Sequence, residues 1–200
     1  KHPAIKAISF TGSTRAGEQI ASIAAPKFKK LSLELGGKNP NIIFADCDWD
    51  KMLDTTIQSS FSNQGQICLC GSRILIEQSV YEKFKTAFVE RTKKLTVGDP
   101  LDESSNQGAI VSKLHFDKIM HCINLAKQEG GNILCGGHAL TIPGRCEKGY
   151  FIEPTIIENL GPDCKTNRDE IFGPVVTLQP FTTVEEALAL ANATSYGLAS

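Results

Sequence analysis

Short runs of alternating polar and apolar residues give way to helical periodicity, again and again, along the whole chain, and this alternation is what most constrains the fold. Ala4 to Phe10 and Lys30 to Leu35 have strand character, and between them Arg15 to Ala25 is Ala- and Ile-rich at helical spacing, with Pro26 as its expected stop. Asn41 to Phe44 predicts a short strand, and Asp48 is placed to cap a helix running to about Phe61. A strand over Arg73 to Ile76 precedes a helix over Val80 to Leu95, then a break at Val97-Gly98-Asp99-Pro100. A long amphipathic helix over Ser112 to Glu129 ends at Gly130-Gly131 and leads into a strand over Asn132 to Cys135. Gly136 to Gly149 has loop composition, and Phe151 to Ile157 is extended around Pro154. Val175 to Phe181 is a strand, followed by a helix over Val184 to Ala193 capped by Thr183. Strands that alternate with helices need both sheet faces covered, which predicts an α/β protein built on an open three-layer α/β/α sheet. Gly36-Gly37 is the natural break, so residues 1–35 are expected to close a nucleotide-binding unit and 36–200 to form a second domain.

Bulk properties exclude several functions. The net charge is −1, so no strong field attracts nucleic acid or an acidic membrane surface. No apolar run approaches bilayer length, and Lys1-His2-Pro3-Ala4-Ile5-Lys6 is not expected to be a signal peptide, because no long apolar stretch follows it. With 41% hydrophobic and 22% charged residues, a sizeable core is expected. The seven cysteines are odd in number and the chain is long for a disulfide scaffold, which points to reduced thiols and a cytoplasmic protein. Cys68-x-Cys70 has neither redox nor zinc-knuckle spacing, and no metal site is expected.

Two segments carry chemistry. Leu33-Glu34-Leu35-Gly36-Gly37-Lys38 presents a carboxylate before a Gly-Gly turn. Phe61-Ser62-Asn63-Gln64-Gly65-Gln66-Ile67-Cys68 presents a thiol after a loop of Gly, Gln and Asn. A lone Cys is ordinarily a small buried hydrophobe and a lone Glu a solvated charge. Together they form a nucleophile and a base. Gly65 allows a positive φ or a close approach, and Asn63, Gln64 and Gln66 offer polar partners that order the loop. Were the stretch extended, Cys70 would share the side of Cys68.

The full spelling of these segments resembles the aldehyde dehydrogenase family. Residues 33–38 match its glutamate signature, and Gly65-Gln66-Ile67-Cys68 matches its Gly-Gln-x-Cys order. Phe10-Thr11-Gly12-Ser13 is similar to the family's phosphate-side cofactor turn, and Glu170-Ile171-Phe172-Gly173-Pro174 to its nicotinamide-side segment. The resemblance implies the end of a Rossmann-like cofactor domain followed by a truncated catalytic domain, in an internal piece of a longer protein. It implies Cys68 as nucleophile and Glu34 as the base that activates water. It places Gly12 and Ser13 at the pyrophosphate, Glu170 at the nicotinamide ribose and Phe172 beside the ring. The implied cofactor is NAD, with NADP left open, and the implied partner is a small-molecule aldehyde. A homo-oligomer, dimer or tetramer, is implied for the full-length protein. Glu34-Leu35-Gly36-Gly37-Lys38-Asn39-Pro40 with Ile67-Cys68-Leu69-Cys70 most resembles the muconic-semialdehyde members. A silent module of the same fold and an enzyme that acylates coenzyme A are the rival readings.

Overall fold

A computed structural model describes residues 2–200 of the chain. It divides into two compact units, Lys1–Gly37 and Lys38–Ser200. The first holds β1 (Ala7–Thr11), α1 (Thr14–Ala24) and β2 (Lys30–Glu34). The two strands are parallel, with Thr11 opposite Glu34. Ile8, Phe10, Leu31 and Leu33 are the partly buried positions, and the residues alternating with them are exposed. Pro26 lies past the end of α1, inside a 3₁₀ turn over Ala25–Lys27, where its missing N–H costs nothing.

The second unit opens with β3 (Asn39–Ile43), α2 (Trp49–Phe61), β4 (Gly71–Glu77) and α3 (Tyr81–Thr92). It continues through α4 (Lys113–Gln128), β5 (Asn132–Cys135), β6 (Ala139–Leu140), β7 (Phe151–Ile152) and β8 (Thr155–Glu158). It closes with α5 (Lys165–Arg168), β9 (Val175–Phe181) and α6 (Val184–Ala191). Five strands form one sheet in the order β3-β4-β9-β8-β5, parallel except for β5. Alternation along the central strands sends neighbours to opposite faces. Ile74, Ile76, Ile156, Val176 and Leu178 pack with Phe61, Phe84 and Phe88 of α2 and α3. On the other face Ile157 and Val175 pack with Ile119, Ile123 and Ala126 of α4, and Leu75 and Phe181 with Ala187 of α6. Each such buried Val, Leu, Ile or Phe side chain stabilises by about 1.5–3 kcal/mol. The expected three layers are therefore present.

Two local expectations need correcting, and one short helix gave no sequence signal. β3 begins at Asn39 and includes Pro40, two residues before the expected start, because β3 is the end strand of the sheet among the described residues and tolerates a missing donor there. The expected loop Gly136 to Gly149 contains β6, which pairs with β7 as an antiparallel two-residue ladder. α5 has no periodic signal, since it is one turn long. Its first amides are held from outside by the Glu129 carboxylate, which accepts from Lys165 N at 2.7 Å and Thr166 N at 3.2 Å. Among the described residues, no helix is long and apolar enough to cross a membrane.

Candidate active site

The loop that carries Cys68 follows directly from the end of α2. Asn63, Gln64 and Gly65 all have left-handed backbone, with φ of 50°, 56° and 66°. For the two non-glycine residues that conformation costs about 1–2 kcal/mol each, and local bonds offset it. Gln66 N donates to Asn63 O at 3.0 Å, and Asn63 Nδ2 to Gln66 O at 3.2 Å. The Gln64 carboxamide donates to Asn63 O at 3.1 Å and accepts from Gly108 N at 2.7 Å. Gln66 Oε1 accepts from Val111 N at 3.0 Å. The three polar side chains thus order the loop. Gly65 has both properties that its sequence position suggests, although the close neighbour is backbone and not a ligand. A Cβ there would lie 2.1 Å from Gly173 O, so this loop and the Glu170–Pro174 segment touch.

Cys68 itself sits in a tight turn closed by Cys70 N donating to Ile67 O at 3.1 Å. The expectation that an extended stretch would put Cys68 and Cys70 on one side is therefore corrected, because a turn and not a strand joins them. Cys68 is half-buried, while Cys70 is buried against Ser62 O. Burial pushes the Cys70 thiol up, as it does those of Cys122 and Cys164, and takes Cys135 up to about 11. The trans peptide turns the Cys68 N–H away from Ile67 O, and within the described chain that N–H donates to nothing. It is an available oxyanion donor. A cleft of about 380 Å³ runs beside the turn between Thr55, Gln58 and Ser59 of α2 and Ile67 and Leu69 of the loop. A wider cleft of about 700 Å³ near Asp54, Arg91 and Gln107 contains none of the expected site residues.

Two residues absent from the sequence argument secure the Glu170–Phe172 segment. His115 Nε2 donates to Phe172 O at 2.5 Å and its ring meets the Phe172 ring edge-on at 5.7 Å. Lys118 Nζ donates to Glu170 O at 2.9 Å. Both come from the first turns of α4. Phe172 has φ 60°, and it and Glu170 are half-buried. Burial lowers the His115 imidazole below its ordinary value, against the raising effect of the Phe172 carbonyl.

In the first unit, Gly12 N donates to Glu34 O at 3.0 Å, so the turn after β1 and the end of β2 are tied together. A Cβ on Gly12 would lie 2.5 Å from the Phe10 ring. Ser13 caps α1 through its Oγ, which accepts from Ala16 N at 3.3 Å. The Thr14 and Arg15 amides have no acceptor among the described residues. A helix N-terminus with free amides behind a side-chain-free position fits a phosphate. Glu34 is exposed at the end of its strand. Strand alternation points it outward with Ser32.

Lys38 opens the second unit, fully buried, with no partner for Nζ among the described residues. Burial and the Arg73 charge bring its amine down to about 8. Arg73, also buried, donates to Lys38 O at 3.0 Å and to Leu190 O and Ala191 O at 2.7 Å each. It thereby caps α6 and anchors the start of β3. Among the described residues no group of three His, Cys, Asp or Glu could hold a metal ion.

Comparison with known proteins assigns the class. The model of the aldehyde dehydrogenase family matches residues 1–200. The chain belongs to this family. It is 47% identical to 2-aminomuconic semialdehyde dehydrogenase of Mus musculus and 48% to that of Danio rerio, in each case over all of this chain and 41% of the relative. Betaine aldehyde dehydrogenase of Staphylococcus aureus, crystallised with NAD+, superposes with a TM-score of 0.91 at 39% identity, over 98% of this chain and 39% of that one. The chain thus spans about two-fifths of the length of the relatives it matches.

Proposed function

We propose that this chain carries the thiol and the general base of a nicotinamide-dependent dehydrogenase that oxidises an aldehyde, of the muconic-semialdehyde class, to a carboxylate. The observation that carries the reading is the Cys68 turn, which leaves a half-buried thiol next to an unengaged N–H. The relatives at 47% and 48% identity, named for 2-aminomuconic semialdehyde, support the substrate class. A bound NAD supplies the two-electron acceptor, and the NAD+ in the similar betaine enzyme supports that choice over NADP. Gly12 with the α1 amides would hold its pyrophosphate, Glu170 its ribose hydroxyls and Phe172 the face of its ring. In this reading residues 1–35 close the dinucleotide-binding domain, and 36–200 belong to the catalytic domain.

An aldehyde carbon releases hydride poorly until a nucleophile makes it tetrahedral. The Cys68 thiolate adds to that carbon, and the charge that develops on oxygen meets the Cys68 N–H, a donor worth about 3–4 kcal/mol where it is well placed. Loss of hydride from the same carbon leaves a thioester on Cys68. Glu34 takes a proton from water as that water attacks the thioester, releasing carboxylate and restoring the thiol. The test is NADH absorbance in the full-length protein given 2-aminomuconic semialdehyde or betaine aldehyde, with NAD or NADP. Turnover is expected with NAD, faster with the semialdehyde, and Cys68→Ser should abolish it. A Cys68→Ser variant that still turns over refutes the mechanism.

A further inference from the structure

Asn39 is the side chain that ties the nucleophile's turn to the sheet. Its Nδ2 donates to Cys68 O at 2.7 Å and to Cys70 O at 3.1 Å, and its Oδ1 accepts from Ala199 N at 3.2 Å. Asn39 is only 3% exposed; its bond to Cys70 O is buried and the bonds to Cys68 O and from Ala199 N are part-buried, which limits competition from water. It is placed by the first residue of β3, opposite Gly71 at the start of β4. Arg73 in turn holds the preceding carbonyl, that of Lys38.

The consequence is geometric. The direction of a Cα–Cβ bond follows from the two peptide planes that flank it. One plane beside Cys68 is set by the Ile67 O to Cys70 N bond, the other by the bond from Asn39 to Cys68 O. With both planes held, the sulfur retains only its rotation about Cα–Cβ, and the Cys68 N–H keeps its outward aim. We infer that Asn39 is a positioning residue for the Cys68 nucleophile: it acts on thiol addition through the Cys68 backbone and touches neither aldehyde nor cofactor. This rests on the function proposed above.

The test uses Asn39→Ser, which keeps one donor, and Asn39→Ala, which keeps none, in the full-length protein. The readout is the pre-steady-state burst of NADH, whose rate constant reports addition and hydride loss and whose amplitude reports the folded fraction. The burst rate constant should fall about tenfold or more in Asn39→Ala, and less in Asn39→Ser, with NAD affinity unchanged. Alkylation of Cys68 by iodoacetamide should slow in the same order. A burst rate constant within about twofold of wild type in both variants, with only the amplitude reduced, overturns the inference, since that is what a purely structural role gives. Should neither variant fold, Ala199→Pro decides, because it removes the donor to Asn39 Oδ1 and leaves Asn39 in place. A slower burst supports the inference and an unchanged one overturns it. Cys68→Ser separates the two proposals: if it still turns over, the functional reading fails, whereas an inactive Cys68→Ser beside unaffected Asn39 variants removes the Asn39 role alone.

Discussion

The thiol and the carboxylate are held in very different ways. Around Cys68, three consecutive left-handed residues, a closed turn, four ordering side chains and a backbone contact at Gly173 leave little freedom. Glu34 ends a two-stranded ladder on its exposed side, with its carbonyl tied to Gly12 and its side chain in solvent. On the proposed function, the difference teaches that the geometry of thiol addition would be set within the second unit, whereas Glu34 has no such support from its own unit. Bond-forming geometry must be set in advance to about an ångström, while a base that reaches its proton through water tolerates a looser hold.

Glu34→Gln gives the largest effect that bears on this contrast. Steady-state turnover should fall about 10²–10⁴-fold, while the NADH burst survives because the thiol does not depend on the base. Loss of the burst as well would break the comparison. Gly65→Ala attacks the other side. A left-handed φ and the 2.1 Å approach to Gly173 O should together cost about 3 kcal/mol or more, read as a lower denaturant midpoint. An unchanged midpoint would mean that the loop is softer than its contacts imply.

Lys38 provides a smaller test at the junction. Its amine is lowered from 10.5 to about 8, so the native state disfavours the charge. The penalty is fully present below pH 8 and disappears as pH rises through 10.5. Lys38→Met should therefore stabilise the 200-residue chain near neutral pH, by up to about 3 kcal/mol, with the gain shrinking toward pH 10.5 in urea titrations. The smallest effect is expected at His115. Its native value lies below 6.5, so the unfolded chain takes up the proton first as pH falls. Stability should decline as pH drops below 6.5 and level off beneath the native value, and His115→Gln should flatten that slope.

The elements legible in the sequence are those whose signal is local and repeated. α4 runs from Lys113 to Gln128 behind its Ser112 cap, and β9 occupies Val175–Phe181, because periodicity over many residues outweighs any single contact. The site motifs were legible for another reason, a spelling shared with a known family. The residues that hold those motifs were not. Asn39 reaches its acceptors 29 and 31 residues away, and Arg73 finds two of its carbonyls 117 and 118 residues downstream. His115 and Lys118 meet Phe172 and Glu170 across 57 and 52 residues. A single polar side chain leaves no periodic trace, and its partner is chosen by the crossing of strands.

By itself, then, the sequence determined the order of strands and helices, the three-layer class, the family and the thiol and carboxylate worth testing, since all of these follow from local pattern and local spelling. Tertiary structure alone decided that a turn and not a strand joins Cys68 to Cys70, that β3 borders the sheet among the described residues, and that one buried carboxamide grips the Cys68 backbone. Those outcomes depend on hydrogen bonds between segments far apart in the chain, and such bonds exist only once the sheet has brought the segments together.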